Sequence, residues 1–194
     1  MSDLPIEYEA KFKITSKEDI RQKLRDSDAT LVKPEFLQKR AIFHLPKGQE
    51  IEGGRLRVRD EDGKITMSLK VSGKKGIEDQ KEVYLEVNDF NQAGLFLESI
   101  GCERKAYIET KRETWDLEDA EVVIDEWPFL EPYIEIEGAS EQVVKQATEK
   151  LGFDYKDAIF GATDQLYSEK YGLSKDRINN ETPEIVFESK NPFI

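Results

Sequence analysis

Ile6-Glu7-Tyr8-Glu9-Ala10-Lys11-Phe12 alternates apolar and charged side chains near the start of the chain. Successive side chains on a strand point to opposite faces, so Glu7, Glu9 and Lys11 share one face while Ile6, Tyr8, Ala10 and Phe12 share the other. Each step of two residues separates the charged groups by about 7 Å. Two carboxylates held this way repel unless a cation or a proton intervenes, and hard cations take oxygen ligands while keeping places for water and phosphate. The run has the form of half a cation site. It is also what any half-exposed antiparallel strand looks like, the default reading of the run alone, so the other strands must decide.

The same alternation recurs along the chain. In Arg55-Leu56-Arg57-Val58-Arg59 three arginines oppose two aliphatics, and in Thr66-Met67-Ser68-Leu69-Lys70-Val71 the polar set is Thr66, Ser68 and Lys70. Glu82, Tyr84 and Glu86 oppose Val83, Leu85 and Val87, and Glu135 and Glu137 oppose Ile134 and Ile136. Arg40, Arg112 and Asp125 join the polar face. An open sheet with one solvated face, its other face covered by helices, accounts for this pattern. A sheet curled into a barrel with a polar interior and helices outside accounts for it too. Charge type favours the second. Acidic blocks (7–9, 82–86, 135–137) and basic ones (55–59, 70) on separate strands suit convergence on an anionic, metal-bound ligand, and arginine's planar fork suits phosphate.

Extended segments read at 5–13, 36–45, 54–60, 64–71, 81–87, 106–115, 121–127 and 132–137, giving about eight strands. Asp60-Glu61-Asp62-Gly63 is a hairpin turn with Gly63 free to take positive φ. Helices are expected over 16–27 from Ser16, over 89–100 from the Asp89-x-x-Gln92 pair, and over 140–151 from Ser140. Their buried stripes are Ile20 and Leu24; Phe90, Ala93, Leu97 and Ile100; and Val143, Ala147 and Leu151. A fourth helix is expected near 164–171, ending at Gly172. Residues 174–183 read as a mobile connection, and Ile185-Val186-Phe187 as a segment that either docks as a short strand or stays loose. The expected organisation is one α+β, mainly antiparallel domain over residues 1–172 and a C-terminal tail over 173–194.

Composition limits the function classes. The chain has 194 residues, 41 acidic against 29 basic side chains, a net charge of −12 and one cysteine. An internal disulfide is excluded, no apolar run nears the roughly 18 residues that span a bilayer, and the acidic balance argues against a nucleic-acid or anionic-membrane surface. The expectation is a cytoplasmic protein. Residues of isolated chemistry read as structural: His44 has no partner cluster for a metal, Cys102 has no histidine to activate it, and Trp115 and Trp127 read as packing at barrel ends. Tyr84 is a candidate tunnel hydroxyl.

Taken in order, Glu7-x-Glu9-x-Lys11, Leu56-Arg57-Val58-Arg59, Ser68-Leu69-Lys70, the glutamate strand at 82–86, Arg112, Asp125 and Glu135-Ile136-Glu137 resemble the CYTH family, the triphosphate tunnel metalloenzymes. The resemblance runs from about residue 5 to 172. It implies an eight-stranded antiparallel β-barrel forming a tunnel, with helices packed outside, and metal-dependent hydrolysis of inorganic, nucleoside or thiamine triphosphate. A class IV adenylyl cyclase and a non-catalytic polyphosphate-binding module are the alternatives. By the same resemblance Glu7, Glu9, Asp125, Glu135 and Glu137 bind Mg²⁺ or Mn²⁺. Arg40, Arg57, Arg59, Lys70, Glu82 and Arg112 contact the substrate, and Lys11 orients or deprotonates an attacking water, or contacts phosphate. The partner implied is a triphosphate-bearing small molecule, with neither nucleic acid nor membrane, and a homodimer left open. Three positions depart from the family pattern: Trp127-Pro128-Phe129-Leu130-Glu131-Pro132, Gln80-Lys81, and Arg40.

Overall fold

The structure, a computed structural model, describes residues 4–73 and 76–194. Eight antiparallel strands, numbered along the chain, form one curled sheet. Their spatial order is β1 (Tyr8–Lys13), β8 (Tyr133–Gly138), β7 (Ala120–Glu126), β6 (Glu103–Leu117), β2 (Thr30–His44), β3 (Gly54–Glu61), β4 (Lys64–Ser72) and β5 (Gln80–Val87). The two edges meet at one end, where Glu7 N–H donates to the Gln80 carbonyl at 2.9 Å and Glu82 N–H to the Pro5 carbonyl at 3.2 Å. The Gln80 amide adds a 3.0 Å bond to the Glu9 carbonyl, so this departure from the family pattern ties β1 to β5. Register shifts along the long β2–β6 ladder bend the sheet.

The β3–β4 hairpin closes through Asp62 and Gly63, with φ of 60° and 93°. Two successive positive φ values match the right-handed twist of the flanking strands. Residues of the alternating apolar sets cover the sheet's outside. Ala10, Phe12, Val122, Ile124, Ile134 and Ile136 pack there with Ile20 and Leu24 of α1 (Lys17–Asp26) and Val144 and Ala147 of α3 (Glu141–Lys150). α2 (Phe90–Ser99) covers Ala41, Phe43 and Val58 with Ala93 and Leu97. The side chains of Ser16, Asp89 and Ser140 each accept a backbone N–H at the expected helix start. Ile100, expected on the buried stripe, is 53% exposed because it caps α2 where Gly101 turns the chain away.

The chain after the sheet is more ordered than expected. Beyond α4 (Asp164–Tyr171), residues read as a mobile connection form α5 (Lys175–Asn180), capped by Ser174 and anchored by buried Ile178. β9 (Glu184–Ile185) then pairs parallel to β6, and Phe193 docks on Tyr167. Docking beside Tyr133 and Tyr167 supplies the apolar burial that a six-residue helix lacks by itself. No helix among the described residues is long and apolar enough to cross a membrane.

Candidate active site

The inner face of the sheet encloses a cavity of about 1100 Å³. Glu9, Lys11, Arg40, Arg57 and Lys70 line it, each with no more than 7% of its surface exposed. Charges on an open solvated sheet would remain mostly in water, so this burial decides for the curled sheet with a polar interior.

One wall, from β1, β8 and β4, is built of lysines between carboxylates. Lys11 pairs with Glu9 beside it and stands 3.4 Å from Glu135 on the neighbouring strand. Lys70 lies 2.5 Å from Glu7 and 2.9 Å from Glu9. The strand register explains the arrangement, since β1 opposes Glu9 to Glu137 and Lys11 to Glu135. Burial lowers the pKa of Lys11, against the pull of Glu135, and lowers that of Lys70 against Glu7. Burial would raise the Glu135 carboxyl, but Lys11 and Arg112 hold it well below the usual range. Glu137 faces the cavity solvent at the rim, yet protein surrounds most of it. That burial, then repulsion from Glu7, pushes it up to about 7, and its open side lets water moderate the shift. Among the described residues no three acidic groups converge as a ready-made metal cluster, because the two ammonium groups stand between the carboxylates.

The opposite wall, from β2, β3 and β6, is built of arginines. Arg112 holds both oxygens of Asp125, at 2.8 and 2.6 Å, and reaches Glu135 at 2.7 Å. Arg57 meets Glu82 at 2.6 Å. Past these two, compensation thins. Arg59 comes no nearer than 3.7 Å to Glu82 and 3.9 Å to Glu61, and its Nε is buried without a partner. Arg40 donates to Thr110 at 2.9 Å and to Gln38, and lies 4.5 Å over the Trp127 ring. Among the described residues it forms no ion pair, and its Nε is also unsatisfied. Burial, followed by repulsion from Arg112 and Arg57, pushes Arg40 down to about 9. Among the described residues Arg55 bonds only Ser72, at 3.0 Å, and burial with Arg57 pushes it down to about 10. An oxygen-rich anion would satisfy every one of these groups.

Of the residues expected at the site, Glu7, Glu9, Lys11, Arg40, Arg57, Arg59, Lys70, Glu82, Arg112, Glu135 and Glu137 all line the cavity. Asp125 does not; it is fully buried behind Arg112 and acts on the cavity only through that arginine. Tyr84 lines the rim and is 59% exposed. Trp127 is a cavity wall as well as packing, since it carries Arg40 on its ring. Two features escaped sequence reasoning. Lys105 faces the cavity beside Ala106 because the ladder passes from Ile42–Ala106 to Phe43–Arg104, leaving Lys105 as the extra residue of a bulge. Asp164 and Asn179 arrive from the helices after the sheet, where no strand alternation points inward.

A family model described as CYTH domain matches residues 5–164. No curated protein matches the chain in sequence. Among solved structures, a protein from Pyrococcus horikoshii is 21% identical with a TM-score of 0.69, over 82% of this chain and 98% of its own. A candidate adenylate cyclase from Vibrio parahaemolyticus superposes with a TM-score of 0.71 at 12% identity, over 86% of this chain and 99% of its own. A candidate adenylyl cyclase from Hippeastrum, described as having a dominant triphosphatase activity, gives 0.56 at 15% identity, over 87% and 97%. At these identities the likeness is one of fold.

Proposed function

The chain belongs to the CYTH domain family, and on that premise we propose that it is a metal-dependent triphosphatase acting inside the curled sheet. The observation that carries the reading is the mismatch within one cavity: a wall of buried arginines short of counter-charge faces a wall of carboxylates that already hold two cationic groups. A triphosphate supplies negative oxygens to the first wall. Arg40, Arg57, Arg59 and Arg112 would grip them, and such pre-oriented donors stabilise the charge that gathers on a leaving diphosphate. Lys70 bridges the two walls through Glu7, Glu9 and Glu82, which places a second ammonium beside the phosphates.

The donor set suits Mg²⁺ or Mn²⁺: Glu7, Glu9, Glu135 and Glu137 are hard oxygen ligands, and the ammonium groups of Lys11 and Lys70 are stand-ins for a cation between them. A bound divalent ion supplies charge neutralisation for the phosphate oxygens. Asp125, with both oxygens taken by Arg112, would orient that arginine instead. Lys11, beside Glu9 and Glu135, is suited to orient an attacking water or to take its proton, the easier for its lowered pKa.

Phosphate release from inorganic triphosphate, ATP and thiamine triphosphate with Mg²⁺ or Mn²⁺ tests the reading, repeated with Glu9→Gln. Loss of about 100-fold or more in the variant is expected, as when one stabilising group leaves an active site. Undiminished activity in the variant would remove the metal-site argument. Cyclic AMP and diphosphate from ATP would assign a cyclase, and tight binding without turnover a binding module.

A further inference from the structure

Gln38 precedes Arg40 by two positions on the inner face of β2, but it is fully buried and does not reach the cavity. The register sets it opposite Glu61 of β3 on one side and Thr110 of β6 on the other. Its Nε2 donates to Glu61 at 2.6 Å, and its Oε1 accepts from the Arg40 guanidinium and lies 3.5 Å from the Thr110 hydroxyl. A carboxylate only accepts and a guanidinium only donates, so the amide has one orientation that serves both. Arg40 and Glu61 are diagonal neighbours on adjacent strands, about 7–8 Å apart at Cα, which long side chains can span. The Gln38 amide stands between them instead. Among the described residues Arg40 meets only neutral groups: this amide, Thr110 at 2.9 Å and the Trp127 ring at 4.5 Å.

These partners fix the guanidinium without cancelling its charge. For stability that is a poor arrangement, since a buried charge is costly unless it is paired. For holding an anion it is a good one, because an arginine already paired must give up that partner before it grips phosphate. Resting on the triphosphate reading above, we infer that Gln38 is a positioning residue: it holds Arg40 in place and keeps Glu61 from neutralising it, so that the whole charge of Arg40 meets the substrate.

Gln38→Glu tests this, because the variant switches with pH. A carboxyl placed 2.6 Å from Glu61 shares a proton with it in mild acid, although Arg40, Arg59 and Arg112 favour ionisation. In that state it copies the amide, bridging Glu61 and accepting from Arg40. In mild alkali the proton leaves and the new charge pairs with Arg40. KM and kcat are compared between variant and wild type across this range, for whichever of inorganic triphosphate, ATP and thiamine triphosphate is hydrolysed fastest. The ratio of the two KM values is expected to be near one in mild acid and to rise about tenfold in mild alkali, the weight of a hydrogen bond to a charged group. Taking the ratio removes the titration of the substrate and of the carboxylate wall, which both proteins share. A ratio near one throughout overturns the proposal, and so does one raised equally at every pH, as a merely structural role would give. If none of the three is hydrolysed, the triphosphatase reading falls instead, and calorimetric affinity for inorganic triphosphate carries the same comparison. Wild type without that affinity removes the role of Gln38 as well.

Discussion

The two walls of the cavity carry similar numbers of charges and solve opposite problems. On the β1–β8 side every ammonium lies between carboxylates, so Lys11 and Lys70 are compensated without any ligand. On the β2–β3 side, among the described residues, Arg40 and Arg55 have hydrogen bonds but no ion pair, and Arg59 has only distant ones. Burying a charge is costly unless it is paired, so the first wall is at rest and the second is held in place by the fold at the expense of stability. Groups kept in that condition suit a ligand that supplies what they lack. The difference teaches where to expect stability and where to expect affinity in this molecule.

Substitutions on the two walls should therefore differ in sign. The largest effect is expected from Lys11→Met, which leaves Glu9 and Glu135 buried without their cation. It should lower unfolding free energy in chemical denaturation by about 3 kcal/mol. A variant as stable as the wild type would break the comparison at its firmest point. Next comes acid. The carboxyls of Glu82 and Glu135 lie well below their ordinary 4.5, because burial is outweighed by Arg57 and Lys70 around Glu82 and by Lys11 and Arg112 around Glu135. The folded state then holds fewer protons than the unfolded chain, so their contribution is complete above pH 4.5 and is lost as pH falls below it. The loss should be on the order of 2 kcal/mol per carboxyl, seen as a falling Tm below that pH and a shallower fall in Glu82→Gln. A Tm insensitive to acid would mean that the pairs contribute nothing. The smallest effect carries the opposite sign. Arg40→Met removes an uncompensated cation and should raise Tm by a few degrees, about 1 kcal/mol, while weakening triphosphate binding measured by calorimetry. Destabilisation by this variant would place Arg40 with the paired wall.

Much of this was legible in the chain. The alternation in Glu7–Lys11, Arg55–Arg59 and Glu135–Glu137 put the right side chains on one face, because a strand's period of two is fixed by its backbone. The helix starts at Ser16, Asp89 and Ser140 were equally readable, since a cap is a local bond between a side chain and an N–H three residues on. Features set by distant parts of the chain were not. Lys105 turns inward through a bulge against β2, and 175–180 becomes helix only by docking on the cluster around Tyr167.

By itself the sequence determined the two faces of β1, β3 and β8, the helices that cover the apolar side of the sheet, and the family to which the ordered charges point. Only the tertiary structure decided that the polar faces are enclosed rather than solvated, which lysine lies between which glutamates, and which arginines remain without a counter-charge. The reason is physical: the direction of a side chain follows from local backbone geometry, whereas pairing and desolvation depend on which strands the fold brings together, as it brings Glu9 to Lys70 from 61 residues away.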